Sequence, residues 1–241
     1  MTNRYYHRQH AVLGVLAVCL GLLFAGRASA SDYLFGFSSY DGDETLTVDV
    51  AGGGAPVVLS TDGNQGWWSA TYPNSPGNTN YFAGSLTSGG TTAYLRDFFS
   101  FALSSLAGDT VTAATLSLGQ FWSVSDSGNA SEQYTLYGVS LPATVLDDTG
   151  GTSAAIYNAL AAGSPYGSFS VPVTGFGFDS DSFTLNAAGI AALNAAIAGS
   201  ADSFSIGGSL ASPAAIPEPT SLLSIPASLF GLAFARRRRA A

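Results

Sequence analysis

The sequence predicts an all-β fold: a single jelly-roll β-sandwich with one or two short peripheral helices. An N-terminal signal helix is expected before it and a C-terminal transmembrane helix after it. Three observations lead there. Apolar residues recur at every second position in several stretches of the middle of the chain, and Gly, Asn, Asp and Ser fill the joints between those stretches. The two ends carry apolar runs of a different kind, fifteen and sixteen residues long.

The chain opens MTNRYYHRQHAVLGVLAVCLGLLFAGRASASD. Arg4 and Arg8 give a basic start, Ala11 to Ala25 an apolar run, and Ala28 and Ala30 the small residues around which a signal peptidase cuts. The expectation is a secretory signal over residues 1–30, removed after Ala30. Its loss takes away Cys19, His7 and His10, which leaves a body without Cys or His. That body, expected over residues 31–210, is strongly acidic. Between Ser31 and Pro213 fifteen Asp and Glu stand against one arginine, Arg96, and no lysine, a net of −14. Phosphate binding depends on Lys and Arg releasing counterions, so a nucleic-acid partner is excluded for this segment. About 180 residues suffice to bury one core without disulfides.

Along the body, TLTVDV (Thr45 to Val50) alternates with Leu46, Val48 and Val50 on one face. FFSFAL (Phe98 to Leu103), ATLSLGQFWSV (Ala114 to Val124) and EQYTLYGVSL (Glu132 to Leu141) repeat the pattern, and SFSVPV and SFSIGGSL add two strands near the end. Short strands with Gly-rich joints favour sandwich or jelly-roll packing over βαβ units. Two stretches break the alternation. TSAAIYNALAAG (Thr152 to Gly163) suits a short helix. In LNAAGIAALNAAIAG, Asn186 can cap, Ile190, Leu193 and Ile197 fall at helical spacing, and Gly199 can end the helix. Both read as crossovers at the sandwich edges. Residues 163–182 read as mostly loop outside SFSVPV, and residues 211–219 as an extended linker with three prolines.

Chemistry is sparse. Without His, Cys or Lys the body cannot assemble a serine or thiol triad, an imidazole zinc site or a lysine nucleophile. A carboxylate pair of the kind that hydrolyses glycosides survives as a candidate, but Glu44 and Glu132 sit in no distinctive motif. Asp41 and Asp43 flank Gly42 and are the candidate ligands of a structural calcium ion, which takes hard oxygen donors. Trp67, Trp68 and Tyr72, in a Gly/Asn/Pro-rich stretch, are the candidate sugar-stacking residues. Strand alternation sends adjacent tryptophans to opposite faces, so at least one is expected near the surface. Arg96 is expected to pair with Asp97 or another acid.

The tail reads IPEPTSLLSIPASLFGLAFARRRRAA from Ile216. Thr220 to Ala235 is sixteen largely apolar residues (220–235), against about twenty for a spanning helix. Arg236, Arg237, Arg238 and Arg239 follow in residues 236–241 as a membrane stop, which places the C-terminus on the cytoplasmic side. Pro217, Glu218 and Pro219 ahead of the apolar run and the arginines behind it resemble the PEP-CTERM sorting signal. That resemblance implies recognition by an exosortase-type membrane protease, export in a Gram-negative bacterium that makes exopolysaccharide, and processing near Pro-Glu-Pro. The stretches NTNYFAGS (Asn78 to Ser85) and LRDFFSFALSSLAGDTVTAATLSLGQFW (Leu95 to Trp122) are similar to a carbohydrate-binding-like jelly roll recurrent among such proteins. This likeness implies a fold and carries no site residues.

Three functions follow as expectations. The first is a non-enzymatic exported protein of the cell surface or extracellular matrix, held by its C-terminal helix in the inner membrane until it is processed. The second is a carbohydrate-binding module recognising matrix polysaccharide. The third is a carboxylate-only glycoside-processing enzyme.

Overall fold

The computed structural model describes residues 33–35, 44–74, 77–88, 91–125, 128–148 and 150–211. Eleven strands carry the fold: β1 (Tyr33–Phe35), β2 (Thr45–Val50), β3 (Val57–Ser60), β4 (Gln65–Trp68), β5 (Ala83–Ser88), β6 (Thr91–Ala102), β7 (Val111–Ser125), β8 (Ser131–Val139), β9 (Pro165–Pro172), β10 (Gly175–Thr184) and β11 (Ser203–Leu210). Among the described residues three short α-helices interrupt them, α1 (Ala143–Leu146), α2 (Ala154–Ala159) and α3 (Ala187–Ala198), with a 3₁₀ turn at Ser104–Leu106.

Every strand pairing is antiparallel. In the first sheet β2 joins β3 to β7, β7 also pairs with β10 and β1, and β1 leads through β5 to the first half of β6. In the second, the latter half of β6 pairs with β4 and β11, and β11 leads through β8 to β9. One strand of twelve residues therefore serves both sheets. Among the described residues the pairing path runs open from β3 to β9 and does not close on itself. The jelly-roll expectation is corrected accordingly to a β-rich fold of two linked sheets with a few short helices.

Leu46 and Val48 of β2, Leu116 and Leu118 of β7 and Phe183 of β10 meet Phe99 and Phe101 of β6, Tyr134 and Leu136 of β8 and Ile206 of β11 in one core. The alternation of β2 dictates this: Leu46 and Val48 are fully buried while Thr45, Thr47 and Asp49 face outward. The outward face stays polar without lysine through cross-strand hydroxyl pairs, among them Thr115 with Thr184 and Thr135 with Ser168.

SFSVPV, expected as a strand, supplies most of β9, while the reading of the rest of residues 163–182 as mostly loop is corrected. β9 pairs with β8 from Pro165 to Pro172, and β10 pairs with β7 from Gly175 to Thr184. The Ser- and Gly-rich composition of β10 hides its strand period, because its inward positions include Asp181 beside Phe183.

The helices behave as their termini dictate. Ser153 caps α2 by accepting the Ile156 amide, and Asn186 caps α3 by accepting the amides of Ala188 and Gly189 at 2.9 and 3.1 Å. Leu193 and Ile197 of α3 enter the core, and Gly199 ends the helix. Asn194 on α3 accepts the Val111 amide at 2.7 Å and donates to the Val111 carbonyl at 2.9 Å, which substitutes for a strand partner at the start of β7.

No helix among the described residues is long and apolar enough to cross a membrane, and the longest, α3, has twelve residues. A span needs about twenty. The expected transmembrane helix, the membrane as a partner and the inner-membrane-anchored precursor are corrected on that finding. The segments those expectations named, residues 1–30, 220–235 and 236–241, lie outside the described residues.

Candidate functional site

Trp67 and Trp68 close β4, opposite Asp97 and Arg96 of β6. Alternation sends their rings to opposite faces of the second sheet, yet they are only 5% and 4% exposed. The expectation that one lies near the surface is corrected, because both faces are covered at this point. On the outer face Leu146 of α1, Ile156 of α2 and Leu160 just after α2 enclose Trp68 with Phe98, and the Trp68 indole N–H donates to the Leu146 carbonyl at 2.8 Å. On the inner face Leu95, Phe82, Leu86 and Val124 enclose Trp67. Only Tyr72 stays open, 42% exposed, with its ring centre 6.2 Å from that of Trp67. Trp67 and Tyr72 thus form a pair with one exposed member on one face, while Trp68 is enclosed apart from them on the other.

Arg96 and Asp97 are consecutive in a strand and so face opposite ways, which corrects their expected pairing. Arg96 turns to the helices on the outer face. Its Nη1 donates to the Tyr157 carbonyl at 2.8 Å, and its guanidinium lies 4.1 Å from the centre of the Tyr157 ring. Asp97 turns inward and is fully buried. The Tyr134 hydroxyl donates to both its oxygens at 2.8 and 2.9 Å. Burial drives the Asp97 pKa up from 3.8 to about 7, against the pull of that hydroxyl and of the amides of Asp97 and Gly208. Gly208 is required here: a Cβ on it would collide with both the Tyr134 hydroxyl and the Asp97 carboxyl.

Three other acids, Glu44, Glu132 and Asp181, have described surroundings. Glu44 is buried, and its Oε2 accepts the Gly119 amide at 2.6 Å. Glu132 accepts the Ser125 hydroxyl at 2.7 Å. Asp181 on β10 keeps one buried oxygen unpartnered, and burial, helped by the nearby Asp179 charge, raises its pKa. Among the described residues no three of His, Cys, Asp and Glu converge to hold a metal ion. The calcium candidates Asp41 and Asp43 lie outside the described residues, as do Ala28, Ala30, Pro217, Glu218, Pro219 and Arg236 to Arg239.

No protein-family model matches the chain, and no curated protein matches it in sequence. The likeness of residues 216–239 to a sorting signal rests on those residues alone.

A cleft of about 400 Å³ opens between the end of β8, the segment after α2 and the first turns of α3. Its walls include Gly138, Gly163 and four alanines, Ala159, Ala162, Ala188 and Ala192. The small residues are dictated by close packing. A Cβ on Gly163 would strike the Gly138 carbonyl, and one on Gly138 would strike the Tyr166 hydroxyl. Tyr166 is 5% exposed, with its ring stacked on Phe204 at 5.8 Å and 11°. Sequence reasoning missed this place, because Tyr166 falls within the segment read as loop and its neighbours carry no chemical signature.

Proposed function

We propose that the chain is a non-enzymatic exported protein of the cell surface or extracellular matrix, sorted through Pro217-Glu218-Pro219. The observation that carries this reading is the ordered set of tail elements behind an acidic body: Pro-Glu-Pro, an apolar run, then Arg236 to Arg239. Support for a non-enzymatic role comes from the fate of the body's acids. The fully buried Asp97 is held by Tyr134, and Glu44 is committed to a main-chain amide. The burial of both tryptophans weighs against a tryptophan platform for polysaccharide.

Mass spectrometry of the protein recovered outside the producing cells tests the reading. The expected form begins at Ser31 and lacks the peptide carrying Arg236 to Arg239. Replacing Pro217, Glu218 and Pro219 by alanine is expected to block that processing. An extracellular form with its arginines intact would sink the proposal.

A further inference from the structure

The cleft at Tyr166 combines three features that point to a ligand. Its volume, about 400 Å³, lies within the range of roughly 300–1,000 Å³ usual for small-molecule sites. Tyr166, nineteen-twentieths buried, has a hydroxyl with no hydrogen-bond partner among the described residues, and that hydroxyl is not sealed from solvent. Ser140 and Ser164 line the same cleft, and neither side chain bonds to another described residue. A buried phenol is ordinarily hydrogen-bonded. The Tyr166 hydroxyl is thus left to bond a guest in a cleft that two exposed serines also line.

The lining also fixes the chemistry of that guest. No Asp, Glu, Lys or Arg contributes to it, so the site offers a charged ligand no counter-ion inside a strongly acidic body. Ala159, Ala162, Ala188 and Ala192 add small side chains to the same lining. An uncharged ring with hydroxyls at its rim and C–H groups on its face matches both. We infer that this cleft binds one ring of a neutral saccharide, with the Tyr166 hydroxyl as its central hydrogen-bonding group. The inference deepens the export reading by naming a ligand class, and rests on that reading only for where the saccharide comes from.

The test is an NMR titration of the full chain, ¹⁵N-labelled, with methyl α-D-glucopyranoside, methyl β-D-galactopyranoside and, as a charged counterpart, glucuronate. Amide shifts are expected to saturate with a neutral glycoside and to centre on Gly138, Gly163 and Ala188. Tyr166→Phe keeps the ring on Phe204 and removes the hydroxyl, and is expected to weaken binding roughly fivefold, the worth of one hydrogen bond. Ala188→Leu adds bulk at an exposed position of α3 and is expected to abolish the shifts. The inference is overturned by no saturation with either neutral glycoside, by saturation with glucuronate alone, or by binding that both variants leave unchanged. Because the titration uses purified protein, its failure leaves the export reading standing, and the mass-spectrometric test can fail without touching this one.

Discussion

Asp97 keeps its proton in the folded chain to about pH 7, while in the unfolded chain it releases it near 3.8. Between those values the folded state binds more protons, so stability falls as pH rises. The contribution is complete below 3.8 and is lost by about pH 7, a difference on the order of a few kcal/mol. Asp97→Asn cannot ionise but keeps an oxygen to accept from Tyr134. Urea unfolding of the two proteins across this window is expected to show the wild type losing stability relative to the variant as pH rises; parallel curves would refute the assignment. At the same spot Gly208→Ala is expected to cost about 3 kcal/mol or more, because its Cβ has neither the Tyr134 hydroxyl nor the Asp97 carboxyl out of its way. A variant of unchanged denaturation midpoint would disprove that packing. None of this was legible in the sequence. Arg96 reads there as the partner of Asp97 or another acid, whereas strand alternation sends the two neighbours to opposite faces.

At the scale of elements, α3 was legible because its signals are local: a capping Asn, apolar residues at helical spacing and a terminal Gly. β10 was not, because its partner β7 lies far away in sequence and supplies the hydrogen bonds that its composition does not advertise, whereas SFSVPV marked most of β9. The adjacent tryptophans teach a related lesson. The period of two gives opposite faces correctly, but it cannot say that α1 and α2 cover the second face. Two asparagines of α3 separate local from long-range roles. Asn186→Ala removes only a cap and is expected to cost about 1 kcal/mol, seen as a shift in unfolding midpoint. Asn194→Ala strips both main-chain groups of Val111, and is expected to cost about 1–3 kcal/mol. It should also speed hydrogen exchange at the Val111 amide, which Asn186→Ala leaves protected. Equal exchange at Val111 in both variants would show that α3 does not pin the start of β7.

For the molecule as a whole, the sequence disclosed charge fully and topology only in part. Counting residues gives a body with a single cation, whereas the period of a strand is silent on which sheet it joins, and β6 joins two. The charge has its own consequence. Arg96 is spent on Tyr157, and no acid among the described residues draws an ion pair from it. Among the described residues, repulsion between the surface carboxylates is therefore unrelieved by ion pairing with Arg96, and mobile counter-ions screen it. Screening lengths fall from about 30 Å at 0.01 M salt to about 8 Å at 0.15 M. Added sodium chloride should thus raise the thermal midpoint, by roughly 2–4 °C for each 1 kcal/mol of repulsion removed. Asp97→Asn should show the same rise, since a sealed carboxyl is beyond the reach of ions. A midpoint indifferent to salt in both proteins would mean that the acids are spaced widely enough not to oppose folding.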